Sequence, residues 1–462
     1  MNFLGNVWTP VFANDLDAFI PELWAQEGLM LLENSMVAGN LVHRNFENQI
    51  ANFGDIVNTR LPASFVGQRK TDADSVTVQD AVTTNVAVPL DQHIHTSFLV
   101  KDGEESKGFQ NLRENLLAPA MLSLAQMVDE VVLTQAYQFL GNSVGQLGVT
   151  PTKSTLIELN ALMHTNKVPM QGRQLVLSPA TEADFLAIEL FTSAEKVGNT
   201  TALTEAALGR KFGLNTYMSQ NTPYVATGST IFSDILINNA AGYPAGTTVL
   251  TVDGRVGGTA VQAGSWVTIA GDGIPHRVTA SVGAGTPTQL TITPALKRAV
   301  VDDAVITEYV PGQVNLVAGY AAGYSKTMVI DGFTVAPKVG QLISLGIAGT
   351  DAVYGALSTP TTTGILLDRP LAAAHANDAF VAPGPAGAYN FAFHQNAMAL
   401  VTRPLAAPQA GTGALSFTAS YNGLSMRITI TYDGSQQGHL VTCDLLCGVK
   451  VLQTGLGAVL LG

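Results

Sequence analysis

The second half of the chain repeats itself. Four phrases occur twice in the same order, separated by Gly, Pro and Asp-Gly turns. The first copy reads VLTVDG (249–254), WVTIAG (266–271), LTITPAL (290–296) and VDDAVI (301–306); the second reads TMVIDG (327–332), LISLGIAG (342–349), GILLDRPL (364–371) and ANDAFV (376–381). Such short β-rich runs predict a small closed or nearly closed β unit in each copy. Two copies are too few to indicate a solenoid.

Upstream of the repeat, the apolar pattern first has the period of a strand and then that of a helix. Residues 55–100 alternate apolar and polar side chains, which predicts a long hairpin with a polar tip at 68–74. Residues 105–140 carry apolar side chains every three or four positions, which predicts a long helix that ends at Gly141. Pro119 should bend this helix, because its ring removes a backbone donor.

The remaining segments mix the two kinds of element, so we predict an α+β fold. We expect short helices at 155–165, 180–191 and 201–212, and short strands at 175–178 and 214–219. After a Pro/Gly break at 383–387, the runs 425–432 and 439–446 predict a hairpin that turns at Asp433-Gly434.

Charge is scarce and unevenly placed. Only 13% of the residues are charged, against roughly 25% in an ordinary soluble domain, and the net charge is -12. A surface so poor in charge favours contact with other protein, and an acidic chain disfavours direct nucleic-acid binding. No Lys or Arg precedes Arg44, and no apolar run approaches the roughly 18 residues that cross a bilayer. We therefore expect neither export nor a membrane span.

The N-terminal 43 residues form an acidic arm whose apolar spacing fits an amphipathic helix after a cap at Asn14 or Asp15. Pro21 could lie only in the first turns of that helix. The carboxylates of the arm, Asp15 and Asp17 among them, could be an ordinary solvated face. The alternative is a docking site for a basic partner helix.

The hairpin tip carries both signs of charge, in Arg69, Lys70, Asp72 and Asp74. Mixed charges usually mark a solvated loop. A lone two-stranded ribbon is marginal in water, however, so this one needs a neighbour to lie on. We therefore favour ion pairs between subunits, each exposed pair contributing only ~0.2–1 kcal/mol.

Three groups of residues resemble catalytic, metal or redox sites. Gly141-Asn142-Ser143-Val144-Gly145 matches the elbow of serine hydrolases, but it follows a helix instead of a strand. His93 and His95 share a strand face, yet zinc needs a third protein ligand. Cys443 and Cys447 would lie roughly 13 Å apart on one strand, too far to bridge, and are expected to be reduced and buried. No nucleotide motif occurs, so we predict no cofactor and no enzyme activity.

The chain resembles a major capsid protein of tailed double-stranded DNA phages. The resemblance lies in the order of its parts: an acidic arm, a long hairpin, a long helix, an α+β centre and an inserted β unit. This is the Hong Kong 97-like fold, and the similarity is greatest to its P-twenty-two-type branch with an inserted β-barrel. The phrases that carry the resemblance are 21–24 (PELW), 54–57 (GDIV), 213–223 (GLNTYMSQNTP), 263–271 (AGSWVTIAG), 393–401 (FHQNAMALV) and 444–448 (DLLCG).

The resemblance implies a division of the chain into named parts. These are an N-terminal arm (1–54), an extended hairpin loop (55–103), a peripheral domain with a spine helix (104–149), an axial domain (150–244), β module 1 (245–312), β module 2 (313–387), and an axial and peripheral return with the C-terminal hairpin (388–462). The second module departs from the family pattern, which has a single insertion.

The resemblance also implies partners. Copies of the chain would form hexamers and pentamers of an icosahedral shell, assembled in the host cytoplasm and found in the virion. The shell would enclose double-stranded DNA without reading its sequence, and contain a portal protein. A cement protein is a further possible partner. Since no long segment precedes the arm, a separate scaffolding protein is expected, with Asp15 and Asp17 as its contacts. The alternatives are a secreted or surface β-rich layer or adhesin protein and, more remotely, a serine hydrolase that uses Ser143.

Overall fold

The computed structural model describes residues 21–44, 56–60, 67, 69–70, 72, 76, 78–79, 85–101, 116–193, 195, 204–225, 231–255, 261–283, 286–309, 312–333, 336–345, 352–385, 387–409 and 413–462. Within these residues the predicted α+β class is confirmed, with many strands and few helices. The helices are α1 (Pro21–Ser35), α2 (Ala38–Leu41), α3 (Ala118–Thr134), α4 (Lys153–Thr165), α5 (Pro179–Leu186) and α6 (Glu189–Thr192).

The strands fall into the hairpin region, the body and the repeat. Those before the repeat are β1 (Ile56–Arg60), β2 (Asn85–Pro89), β3 (Gln92–Lys101), β4 (Ser143–Gly145), β5 (Arg173–Leu177), β6 (Arg210–Lys211), β7 (Leu214–Met218) and β8 (Tyr224–Val225). The repeat contains β9 (Ile231–Ile237), β10 (Val249–Asp253), β11 (Trp266–Ile269), β12 (Pro275–Val282), β13 (Gln289–Thr293), β14 (Val305–Tyr309), β15 (Gly312–Val314), β16 (Met328–Asp331), β17 (Leu342–Leu345), β18 (Ala352–Thr361), β19 (Gly364–Leu367) and β20 (Phe380–Pro383). After it come β21 (Gly387–His394), β22 (Met398–Arg403), β23 (Leu415–Tyr421), β24 (Leu424–Asp433), β25 (Gly438–Val451) and β26 (Gly457–Leu461).

Both copies of the repeat fold as closed six-stranded barrels, so the predicted closed β units are confirmed. The first closes in the order β10-β13-β12-β11-β14-β9 and the second in the order β15-β16-β19-β18-β17-β20. The two strand orders are identical when each strand of the first barrel is matched with the strand six numbers later, from β9 with β15 to β14 with β20. Each barrel has its own core, because alternate residues of each strand point inward: Leu250 and Val252 in the first, Met328 and Ile330 in the second.

A shared tyrosine supports the same correspondence. The Tyr243 hydroxyl accepts a hydrogen bond from the Thr251 backbone N–H at 2.9 Å, and the Tyr320 hydroxyl accepts one from Val329 at 2.7 Å. One predicted boundary differs from the structure. β9 belongs to the first barrel, so the division at 244/245 falls inside that barrel and not before it.

The chain divides into two compact units. The larger comprises described residues from Met36 to Gln92, from Ala125 to Val401 and from Cys447 to Gly462. Besides the barrels, it contains a sheet in the order β4-β26-β21-β5-β7-β6, with β8 paired to β21. A hydrophobic core that includes Leu159 and Phe185 joins this sheet to the helices. Helix α4 starts where the Thr152 side chain accepts from Thr155, and α5 starts at the Ser178 cap with Pro179 in its first turn.

The predicted helix at 201–212 is wrong over its second half. There the chain turns from β6 into β7 as a short hairpin, with Phe212 at φ 46° and Gly213 at φ 84°. Two successive positive φ angles are the geometry of the tight hairpin turn, which a helix cannot contain. The other predicted elements of this region are present with ends shifted by a few residues, except that the predicted helix 180–191 is divided into α5 and α6.

The predicted long helix is present from residue 116 onward, and residues 102–115 lie outside the described part. Residues 116 and 117 have π-helical geometry directly before α3, and Pro119 is the second residue of α3, so the bend predicted at Pro119 stays a prediction. Beyond Thr134 the chain tightens into a 3₁₀ helix, Gln135–Asn142. The predicted apolar stripe is buried at Leu124, Val128, Val131 and Phe139.

The smaller unit comprises the described residues up to Ser35, His93–Leu124 and Thr402–Leu446. Helix α1 is described from Pro21 onward and packs on β23 and β24, whereas the predicted cap at Asn14 or Asp15 lies outside the described residues. Gly28 allows a close approach, since an added Cβ would lie 3.0 Å from the Met426 Cε. The predicted C-terminal hairpin is confirmed, with Asp433 opposite Gly438 across the turn.

Candidate assembly surfaces

The predicted hairpin is present at its root, and most residues from 61 to 84 lie outside the described part of the chain. β1 and β2 pair antiparallel from Ile56 opposite Pro89 to Arg60 opposite Asn85. Among the described residues no third strand joins this pair. Val76 and Val78 lie beyond the paired strands and are 73% and 84% exposed. A two-stranded ribbon with exposed valines is marginal in water, and the described residues provide no further strand for it to lie on.

The charged tip is exposed at each of its described positions. Arg69, Lys70 and Asp72 are solvent-exposed, and none of the three has an ion pair to another described residue. Asp74 lies outside the described residues. The ion pairs between subunits therefore stay a prediction.

The hairpin is anchored at its root. Val88 is fully buried in a small cluster with Ala399 and Val401. The backbone of β25 comes so close that a Cβ on Gly448 would lie 1.9 Å from the Pro89 carbonyl oxygen. Only glycine fits at position 448, so the root has a fixed place on β25.

A polar cavity of about 300 Å³ lies beside this root. Its polar lining includes Asp91, Gln92, Gln135, Tyr137, Asp368 and Arg369. The Gln92 side-chain amide donates to the Asp368 carbonyl oxygen at 2.5 Å, which links the hairpin to the second barrel. Burial raises the pKa of Asp91, and the negative charge of Asp368 acts in the same direction.

Asp368 is the centre of this cluster and is fully buried. Its carboxylate accepts from the Gly355 backbone N–H at 2.9 Å, from the Gln135 amide at 2.9 Å and from the Arg369 guanidinium at 3.2 Å. Burial raises the pKa of Asp368, and these donors partly offset that effect. Because the chain itself supplies all three donors, the cluster works as a joint between the second barrel and the 3₁₀ helix.

Arg369 completes the joint from the barrel side. Its guanidinium lies 4.3 Å from the centre of the Tyr354 ring and donates to the Tyr137 hydroxyl and the Val353 carbonyl. The backbone of Gly355 lies directly against a side chain here, since a Cβ on Gly355 would lie 1.5 Å from the Thr134 Cγ2.

The first barrel has a different polar joint. Asp272 accepts from the backbone N–H groups of Lys297 and Arg298, and from the His276 ring at 2.8 Å. This holds the loop that carries Gly273, whose carbonyl accepts from the Leu147 N–H of the body at 3.0 Å.

Sequence reasoning missed both joints. The available signal was a pair of adjacent charged residues, Asp368-Arg369, within a β phrase of a chain that contains few charges. In the first copy of the repeat, the residue directly before Pro294 is an uncharged threonine. No comparable signal marked Asp272 or His276.

The structure argues against a nucleophilic Ser143. Ser143 is 1% exposed and lies on β4 next to β26. Its hydroxyl has no hydrogen-bond partner in the described chain. A nucleophile needs both access to substrate and an adjacent base.

The two histidines, the two cysteines and the arm carboxylates are the other predicted candidates. The rings of His93 and His95 lie 6.4 Å apart, and His93 has Asp444 at 3.8 Å. Among the described residues, no three potential ligands are grouped to hold a metal. Cys443 and Cys447 are buried free thiols, as predicted. No described helix has the length and hydropathy of a membrane span. Asp15 and Asp17 lie outside the described residues.

Comparisons with known proteins give only distant structural likenesses. No family profile and no curated protein matches the chain. A structure of Mycobacterium phage Che8 shares 13% identity with a TM-score of 0.42, covering 92% of this chain and 90% of that one. The capsid of the cyanophage P-SCSP1u shares 9% with a TM-score of 0.42, covering 91% and 86%. The mature capsid of bacteriophage PhiM1 shares 8% with a TM-score of 0.38, covering 89% and 83%. At TM-scores below 0.5 these likenesses carry no argument, so the assignment rests on the residues of the chain.

Proposed function

We propose that this chain is the structural major capsid protein of a tailed double-stranded DNA phage, with a Hong Kong 97-like fold of the branch that carries an inserted barrel. Many copies would form hexamers and pentamers and close into an icosahedral shell. The protein would act by assembly and not by catalysis.

The observation that carries this proposal is the incomplete hairpin. Its root is fixed by Val88 and by the close approach at Gly448, whereas Val76 and Val78 are uncovered. A ribbon that is fixed at its root and exposes Val76 and Val78 is suited to lie on a second copy. Contacts in which one copy receives the ribbon of the next are heterologous, and such contacts close into rings when the rotation permits.

The parts of the proposed shell protein follow the order of the chain. We assign an N-terminal arm to 1–54, the extended loop to 55–103, the spine helix to 104–149, and the axial domain to the body sheet with the return at 388–462. The two barrels, with the first now starting at Ile231, would be a duplicated insertion.

The charge of the chain fits a container wall. A net charge of -12 disfavours a face that neutralises phosphates, so the shell would hold DNA without reading its sequence or binding it tightly. The proposed partners are further copies of the chain, a scaffolding protein, a portal protein and, in some shells, a cement protein. The location would be the virion, after assembly in the host cytoplasm.

Electron microscopy of the chain, expressed with and without its neighbouring reading frames, tests the proposal. We expect closed particles of uniform diameter. Flat sheets or fibres would favour a surface-layer or adhesin protein instead. A chain that stays monomeric in both expressions would refute the proposal.

A separate test addresses the scaffold contact. We expect Asp15→Ala with Asp17→Ala to weaken binding of a basic scaffold segment at low salt, because two of its attracting charges are lost. Unchanged binding would remove Asp15 and Asp17 from the contact and leave the shell function intact.

A further inference from the structure

A buried arginine lies at the end of the sheet that contains β5 and β21. Arg173 is the first residue of β5 and is 2% exposed. Its side chain shares the face of Leu175 and Leu177, because alternate positions of a strand point the same way, and that face packs on α4 in the hydrophobic core. Among the described residues, no carboxylate forms an ion pair with its guanidinium, and burial lowers the pKa of Arg173. Further positive charge beside this group would therefore be costly.

The guanidinium of Arg173 is held by uncharged acceptors. Its Nε donates to the Pro169 carbonyl at 2.9 Å, Nη1 to the Asn160 side-chain oxygen at 2.8 Å, and Nη2 to the Val168 carbonyl at 2.6 Å. Nη2 also lies 3.4 Å from the His164 Nδ1. Since a guanidinium has only donors, this last contact is a hydrogen bond only when the His164 Nδ1 has no proton. Arg173 thereby ties the last turn of α4 to the chain that follows it.

A second histidine faces the same charge from the neighbouring strand. His394 is the last residue of β21 and lies directly opposite Arg173 in the register of the two strands. Its Nδ1 accepts from the Asn396 backbone N–H at 3.2 Å and caps the 3₁₀ turn Gln395–Ala397. The ring also donates to the Gln171 backbone carbonyl. Both ring nitrogens are therefore satisfied when His394 is neutral and carries its proton on Nε2.

Protonation of His394 would break this arrangement. A proton on Nδ1 would face the Asn396 N–H, so the cap of the 3₁₀ turn would be lost, and a second positive charge would lie opposite the buried guanidinium. Burial lowers the pKa of His394, and the charge of Arg173 acts in the same direction, while the bond to Gln171 partly offsets both. The titratable groups of this cluster are His164 from α4, Arg173 from β5 and His394 from β21, and no described acidic group acts on Arg173 or His394.

We propose that Arg173, His164 and His394 form an acid-sensitive latch, which holds the turn 166–172 to the 3₁₀ turn at neutral pH and releases it when the two histidines gain protons. The inference does not depend on the proposed shell function, because all of these contacts are made within one chain. The 3₁₀ turn continues into β22, the strand that packs on the root of the hairpin, so release of the latch would occur next to that anchor.

Native-state amide hydrogen exchange at about pH 7 and about pH 5 tests the latch in the full chain. Stability from a histidine with a lowered pKa is present above the ordinary value of about 6.5, and it is lost as pH falls through the lowered value. After correction for the intrinsic pH dependence of exchange, we expect the amides of residues 166–172 and 395–397 to lose protection by about threefold or more at the lower pH. Unchanged protection of these amides would contradict the latch.

Matched substitutions make this test specific to the two histidines. His394→Asn keeps an acceptor for the Asn396 N–H but cannot gain a proton, and His164→Asn removes the second titrating ring. We expect the chain with both substitutions to keep the same protection at the two pH values. The control is His95→Asn, at an exposed position of β3, which should leave the acid loss in full. An equal loss of protection with and without the two substitutions would overturn the inference.

Nitrogen-15 NMR of the histidine rings measures the proton positions in the unsubstituted chain. We expect His394 at neutral pH to carry a proton on Nε2 and none on Nδ1, as its two hydrogen bonds require. A ring that carries protons on both nitrogens at neutral pH, or on Nδ1 alone, would also overturn the inference.

Discussion

Replacing Asp368 by alanine should loosen the second barrel from the spine. The substitution removes the acceptor of the Gly355 N–H and of the Gln135 amide, and it leaves the Arg369 guanidinium without its carboxylate. Breaking a buried ion pair by removing one partner costs about 3–5 kcal/mol. Since the Arg369 side chain is 30% exposed, water can still hydrate it, and we expect the lower end, about 3 kcal/mol.

Native-state amide hydrogen exchange of β17, β18 and β19 measures this cost locally, which matters because a chain with several cores need not unfold in one step. A loss of about 3 kcal/mol corresponds to exchange roughly a hundredfold faster. Asp368→Asn keeps one acceptor oxygen and should cost less, about 1–2 kcal/mol. The control is Asp253→Ala, at an exposed position of the first barrel, with an expected effect within about 0.5 kcal/mol.

The reasoning would be refuted if Asp368→Ala and Asp253→Ala gave the same exchange rates in the second barrel. The hydrogen bonds of Asp368 would then contribute no measurable stability to the second barrel. Faster exchange confined to the first barrel would also contradict the reasoning, because the described contacts of Asp368 are with the second barrel and the elements beside it.

Three further predictions concern backbone fit, pH and thiol access. Gly448→Ala should destabilise the chain to denaturant by about 1–3 kcal/mol or more, because its Cβ meets a backbone carbonyl, whereas Gly434→Ala, with open space around it, should stay within about 0.5 kcal/mol. Burial raises the pKa of Asp129 above 3.8, so the folded chain holds that proton more tightly than the unfolded one. Stability from this group is therefore lost as pH rises from 3.8 through the raised value, and Asp129→Asn should remove that slope in unfolding measured from about pH 4 to about pH 7. Burial raises the pKa of Cys443 and Cys447 to about 12, so iodoacetamide at neutral pH should label them only after denaturation; rapid labelling of the native chain would contradict their burial.

The barrels could be predicted because their strands are short and their phrases are alike. The phrase pairs lie on or next to β10 and β16, β11 and β17, β13 and β19, and β14 and β20. β9 and β15 share no such phrase, so the start of the first barrel was missed. A usable signal lay just after them in Ala241-Gly242-Tyr243 and Ala318-Gly319-Tyr320, whose tyrosines make the same hydrogen bond.

The errors and omissions have physical causes. A helix was predicted over 201–212, but Phe212 and Gly213 both adopt positive φ and turn the chain from β6 into β7. The Asp368 joint depends on Gln135, which is 233 positions away in the chain. Local periodicity contains no information about such a contact, whereas it does determine which side of α3 is buried.

Sedimentation velocity over a wide range of chain concentration, with and without the products of the neighbouring reading frames, tests the central claim most directly. We expect a cooperative step from small species to one large species of uniform sedimentation coefficient. A single 48.3 kDa monomer at every concentration under both conditions would contradict the account, because the bare hairpin would then need no second copy.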